Sequence, residues 1–174
     1  MEIVISPDPR LLEVCDPCDF NDNTLKQLAQ DMTKIMYDNN GCGLAAVQVG
    51  VMKRMLVIDC DTKSNRRKPI ILINPEIVAL SDDEICEEEG CLSLPGISVP
   101  ITRPSYAKVN YYDLNGKLQS IEGDGLLARC LQHEIDHLNG KTMFEACSLK
   151  DKVKASNDYK IALSLGAKPG DTGA

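Results

Sequence analysis

No stretch of this chain is both long and apolar enough to cross a membrane as a helix. Its opening, Met1-Glu2-Ile3-Val4-Ile5-Ser6-Pro7-Asp8, lacks the basic region and apolar core of a secretory leader. An excess of positive charge is missing too: 26 Asp and Glu outnumber 19 Lys and Arg, for a net charge of −7. That balance argues against a protein that grips nucleic acid through its phosphates. Eight cysteines without a secretory context read as reduced thiols in a cytoplasmic protein. Cys15-x-x-Cys18 has no second CxxC to complete a zinc site and no βαβ frame for a redox motif, so it reads as a chance pair in a loop. Internal repeats are absent. Hydrophobic residues at 43% and charged residues at 26% are ordinary for a soluble globular chain. A single catalytic domain over 1–166 is expected, with 167–174 as a flexible tail.

Histidine is scarcest among the reactive residues, and its placement is informative. The two in the chain are His133 and His137, in Gln132-His133-Glu134-Ile135-Asp136-His137. Residues four apart share a face of a helix. Two imidazoles so placed can bind one metal ion, and the carboxylate beside the first can reach a water on that ion. An ordinary helix with satisfied histidines is the alternative reading of this motif taken alone. Asp124 is a plausible N-cap, residues 125–137 carry apolar side chains at helical spacing, and Gly140 is a plausible stop.

A catalytic site of this kind needs three protein ligands and one open position. The extended metalloprotease pattern would place histidine at 143, where this chain has Met143. A downstream glutamate is available only as Glu145, too close to the motif. The third ligand is therefore sought upstream. Cys91 is the best candidate, a thiol set in a constrained turn between Gly90 and Pro95-Gly96; thiolate suits zinc or ferrous iron.

Elsewhere the pattern is coarse but readable. Leu25, Leu28, Met32, Ile35 and Met36 mark a helix over 23–39. Strands are expected over 54–59, over 69–80 with a bend near Asn74-Pro75, over 106–113, and over 117–122 after an Asn115-Gly116 hairpin turn. Residues 61–68 read as a loop. Ser148 is expected to cap a last helix reaching Leu165. The small residues of Gly41-Cys42-Gly43-Leu44-Ala45-Ala46 show that something approaches this backbone closely.

Three segments together resemble the motifs of peptide deformylase: Gly41-Cys42-Gly43-Leu44-Ala45-Ala46-Val47-Gln48, Glu89-Gly90-Cys91-Leu92-Ser93 and Gln132-His133-Glu134-Ile135-Asp136-His137. They stand in that family's order and at its approximate spacings, and the resemblance extends over residues 3–165. It implies an α+β fold, with antiparallel β-sheets packed around a central HExxH-bearing helix, plus an N-terminal and a C-terminal helix. It implies a hydrolase that removes the formyl group from the N-terminal formylmethionine of newly made proteins. Cys91, His133 and His137 would hold one divalent metal, with ferrous iron expected in the cell and zinc, nickel or cobalt able to substitute. Glu134 would be the general base, and then the acid that protonates the leaving amine. By resemblance, the Gln48 side-chain amide and the Leu92 backbone N–H would stabilise the oxyanion.

The methionine pocket is expected from Leu126, Arg129 and Cys130, which precede His133 on or beside its helix face, and from Cys42 and Gly43. Arg129 would line the pocket with its stem and keep its charge in water. Glu89 and Arg103 are expected to pair behind the site. Partners would be N-formylmethionyl nascent peptides, with at most a transient ribosome contact, no membrane and no sequence-specific nucleic acid; a monomer is expected. Three features depart from the family pattern. Ser6 replaces a frequent histidine, Cys42 takes a position that is often aliphatic, and the C-terminal helix is weakly basic, which argues against a ribosome contact made through that end. Two rival readings remain at this stage: a zinc peptidase cutting internal bonds, and a closed structural or sensory metal site.

Overall fold

The computed structural model describes residues 1–61 and 63–172. Helix α1 (Leu25–Asp38) buries Leu25, Leu28, Ala29, Met32 and Met36, the stripe that a 3.6-residue period lays on one face. It begins later than the periodicity predicts because Asp22 holds the preceding turn: its carboxylate accepts the Thr24 N–H at 2.9 Å and pairs with Lys53. Asn39 and Asn40 end the helix, Asn40 with φ of +57°, which asparagine tolerates better than most residues.

Seven strands follow: β1 (Gly43–Ala45), β2 (Met55–Ile58), β3 (Ile70–Leu80), β4 (Glu84–Glu89), β5 (Val99–Pro104), β6 (Tyr106–Tyr112) and β7 (Leu118–Asp124). Five form one antiparallel sheet in the order β1-β2-β3-β6-β7, and β4 pairs with β5 in a separate ribbon. Every residue of β2 is buried. Met55 and Val57 pack with α1 on one face, while Leu56 and Ile58 pack on the other with helix α2 (Gly125–Leu138). A strand covered on both sides reads as a continuous apolar run.

The bend in β3 is a register shift between Ile73 and Glu76, with Asn74 at φ of +50°. The Asn74 side chain accepts the Cys18 N–H at 2.8 Å and donates to the Cys18 carbonyl at 3.2 Å. Cys15 and Cys18 lie in different apolar clusters, and all eight cysteines are free. The Asn115-Gly116 connection spans 113–117 rather than two residues, since Tyr112 pairs with Leu118 and Asp113 Oδ1 gathers the N–H groups of Asn115 and Lys117.

Helix α2 is the centre of the molecule, with ten of its 14 residues buried. Asp124 occupies the N-cap position, but its side chain makes no capping hydrogen bond. At the other end Gly140 has φ of +76°, and a Cβ there would lie 2.6 Å from the Leu12 carbonyl oxygen; only glycine fits. After a short helix, α3 (Met143–Ala146), Ser148 caps α4 (Leu149–Ser164) by accepting the Asp151 N–H at 3.2 Å. Tyr159 and Ala155 seat α4 against Leu94, Ile97, Val99 and Ile101. This is the α+β arrangement that the motifs imply. Among the described residues no helix is long and apolar enough to cross a membrane.

The segment expected as a flexible tail makes hydrogen bonds at Lys168 and Asp171. Asp171 donates its N–H to Lys168 O at 2.9 Å and accepts the Lys168 N–H on its carboxylate at 2.8 Å. The Asp171 carbonyl then accepts the Gly96 N–H at 3.1 Å. Backbone contacts of this kind depend on distant segments, which local composition does not reveal. Residues 173 and 174 lie outside the described residues.

Candidate active site

Cys91 sits in the turn after β4, and His133 and His137 sit one helical turn apart on α2. Their ligand atoms all lie within 4.8 Å of one another. Cys91 Sγ and His137 Nε2 are 3.3 Å apart. Tetrahedral coordination with metal–ligand bonds of about 2.0–2.3 Å puts donors roughly 3.5 Å from each other, so the set fits one ion.

The other ring nitrogen of His133 is fixed from behind. Nδ1 donates to Glu89 Oε1 at 2.8 Å, which aims Nε2 at the cluster. Glu89 is itself clamped. Arg103 donates Nε to Oε2 at 2.6 Å and Nη2 to Oε1 at 3.0 Å, and Arg129 Nη1 reaches Oε2 at 2.6 Å. Arg103 also holds Asp136 at 2.9 Å. Burial would raise the Glu89 carboxyl, but hydrogen bonds from His133 and Arg103 hold it down at about 2. Burial keeps His137 neutral, with the positive surroundings of His133 and Arg103 adding to the effect.

Glu134 is 4% exposed. Its Oε1 lies 4.0 Å from His133 Nε2, and its Oε2 has no hydrogen-bond partner among the described residues. Burial raises its carboxyl to about 7. A buried, unpartnered carboxylate oxygen beside three convergent metal donors is the setting in which a water on the ion would be met.

Gln48 is buried in a single turn of 3-10 helix, Ala46–Val49. Its Oε1 accepts the Ala45 N–H at 2.9 Å, which fixes the amide so that Nε2 donates to Ser93 Oγ at 3.1 Å and lies 3.6 Å from Cys91 Sγ. Leu92, next to Cys91, lines the same cavity, and no hydrogen bond among the described residues uses its N–H.

That cavity has a volume of about 240 Å³. Cys42, Gly43, Leu126, Arg129 and Cys130 all line it, beside His133 and Glu134. One expectation is corrected. Arg129 does not hold its charge in water: it is 8% exposed, and its guanidinium donates to Glu89, to Ile101 O at 2.8 Å and to Ile85 O at 2.7 Å. Unpaired carbonyls on the β4–β5 ribbon draw it inward. Sequence reasoning missed Ser93 and the segment 170–172. Ser93 stands within the Cys91 motif, but its bond to Gln48 needs the fold. Gly170, Asp171 and Thr172 form part of the cavity wall, and nothing in their composition marks them.

The family model for polypeptide deformylase matches residues 1–153. The chain belongs to this family. It is 51% identical over 167 residues to the peptide deformylase of Brucella suis, covering 95% of each chain. It is 44% identical to that of Rhizobium meliloti, over 95% of this chain and 96% of the other. The crystal structure of a peptide deformylase from Legionella pneumophila aligns with a TM-score of 0.85 at 41% identity, covering 94% of this chain and 95% of that one. The Ehrlichia chaffeensis enzyme, solved in complex with actinonin, aligns with a TM-score of 0.85 at 39% identity, over 95% and 97%. The protein is accordingly a deformylase, a metal-dependent hydrolase acting on the formylated N-terminus of new proteins.

Proposed function

We propose that Cys91, His133 and His137 hold the metal of this deformylase and that Glu134 is its general base. The observation that carries the reading is the placement of the Glu134 carboxylate, buried beside the three donors at the wall of one cavity. These donors would hold a divalent ion, which would supply an acidified water and a Lewis acid for the formyl carbonyl. Glu134 takes the proton of the attacking water and returns it to the departing amine. The Gln48 amide and the Leu92 N–H steady the oxygen on which negative charge develops. Leu126, Cys130, Cys42 and Gly43 receive the methionine side chain. Glu89, held by Arg103 and Arg129, keeps His133 oriented. The products are formate and a free methionine N-terminus.

The resident ion in this reading is ferrous iron, as the family resemblance implies; the thiolate in the donor set suits iron and zinc alike. The chain acts as a single domain and a monomer, in the cytoplasm, on nascent peptides that it meets at or near the ribosome. The test strips the metal and reloads iron, nickel, cobalt and zinc separately. Formate release from formyl-Met-Ala is then followed before and after exposure to air. Iron enzyme is expected to be fast but to decay in air as Cys91 oxidises. Nickel and cobalt enzymes should be fast and stable, and zinc enzyme stable but slow. Identical rates and identical decay for all four ions would overturn the assignment. Cleavage of unformylated casein would favour the peptidase reading instead.

A further inference from the structure

Two sulfurs in the cavity take no part in the hydrolysis. Cys42 Sγ and Cys130 Sγ are 3.9 Å apart. The Cys130 sulfur also lies against the backbone of residues 42 and 43: the Cys42 carbonyl oxygen is 3.6 Å from it, and a Cβ on Gly43 would stand 2.8 Å from it. A disulfide needs an S–S distance of about 2.05 Å, so the two sulfurs, already at 3.9 Å, have about 1.9 Å to close. The pair is asymmetric, with Cys42 exposed and Cys130 buried on α2. Cys130 and Cys60 draw the Cys42 thiol down toward the thiolate, while Cys130 is pushed up by Cys42 and Cys60. An accessible thiol drawn toward ionisation and backed by a second, buried thiol is the arrangement of a peroxide-sensitive dithiol.

We propose that Cys42 and Cys130 form a modification site, oxidised by hydroperoxides to an intramolecular disulfide that restricts the substrate cavity. The Cys42 thiolate attacks one peroxide oxygen. The O–O bond breaks and its electron pair leaves on the other oxygen, which is protonated to an alcohol or water. Cys42 is then a sulfenic acid. Cys130 sulfur attacks it, the S–S bond forms, and the hydroxyl departs with the Cys130 proton as water. Two thiols have lost two electrons, and the peroxide has gained them.

The bond ties Cys42, at the head of strand β1, to the helix carrying Glu134, across the wall of the cavity. Cys91, His133 and His137 are untouched. The crosslink occupies space on that wall and fixes it, so substrate affinity falls while the metal stays. This effect on substrate rests on the reading of the cavity as the methionine pocket; formation of the bond does not.

The experiment treats zinc-loaded enzyme with graded hydrogen peroxide, because zinc itself is not oxidised. Non-reducing peptide mapping, free-thiol counts and metal content are measured on each sample. Kinetics on formyl-Met-Ala are run before treatment, after it, and after reduction by a dithiol. The expected result is a crosslink between the Cys42 and Cys130 peptides, loss of two thiols and full metal retention. KM should rise about tenfold or more, as for loss of a methylene-sized space, and reduction should reverse it. Cys42→Ser and Cys130→Ser, each judged against its own untreated rate, should lose the reversible phase. Oxidation of Cys91 with metal loss while Cys42 and Cys130 remain thiols would overturn the proposal, as would a crosslink to Cys60 instead. A Cys42–Cys130 crosslink with unchanged KM would overturn the restriction of the cavity. Turnover by the untreated enzyme in the same assay reports on the deformylase reading separately.

Discussion

Gly43 and Glu134 meet so closely that a Cβ on residue 43 would stand 2.8 Å from Glu134 Oε1 and 2.9 Å from its Cγ. The missing side chain is the space in which the carboxylate sits. Gly43→Ala should leave the metal in place, because the atoms nearest that Cβ belong to Cys130 and Glu134 and not to Cys91, His133 or His137. It should lower kcat by about a hundredfold, the typical effect of moving a catalytic group by an ångström. Metal analysis and initial rates on one preparation check this. An unchanged kcat would show that the carboxylate has room to spare.

Glu134→Gln keeps the shape of the side chain but removes its capacity to take a proton. Metal content should stay at one equivalent, and kcat should fall by about 10²–10⁴, the usual contribution of a general acid–base group. Full occupancy with a normal rate would end the assignment of this residue as base.

For Gln48→Ala the fall should again appear in kcat, by about 10² for the loss of one oxyanion donor. The residue acts on charge that develops only as the bond is made, so substrate affinity should change little. A rise in KM alone would make Gln48 a binding residue. Thermal melting of the same variant separates either outcome from loss of the Ala45 and Ser93 hydrogen bonds.

Glu89→Ala removes the shared partner of Arg103, Arg129 and His133. Arg103 then keeps only Asp136 and Arg129 only the exposed Glu87, and the weaker pairing of two buried guanidinium groups should cost up to about 3–5 kcal/mol. Metal affinity should fall about 10–100-fold as His133 loses its orientation. Urea denaturation and competition with a chelator measure the two effects independently. A variant as stable as the parent would show that the cluster adds nothing to the fold.

What could be read from residues alone follows from whether the signal is local. His133, Glu134 and His137 needed only helical spacing, and Met55-Leu56-Val57-Ile58 needed only its apolar run. Strand β4 was hidden because Glu84-Ile85-Cys86-Glu87-Glu88-Glu89 has poor strand propensity, and all but Glu89 of it is exposed; pairing with β5 makes it a strand. The inward turn of Arg129 and the docking of Gly170 and Asp171 are likewise set by partners far away in the chain. Asn115-Gly116 marked a turn correctly but not its length, because the Asp113 side chain enlarges it.

The cavity wall is drawn from residues 39–43, from Gln48, from residues 88–92, from one face of α2 between Leu126 and Glu134, and from residues 170–172. No fragment of the chain holds the cavity, so it exists only when the whole molecule has folded. Occupancy and global stability are therefore linked. A ligand at a hundred times its Kd should add about 2.7 kcal/mol to unfolding, and slow hydrogen exchange throughout β2 and α2, not merely beside the ligand. Melting shifts in a thermal screen would then rank compounds by affinity before any turnover is measured.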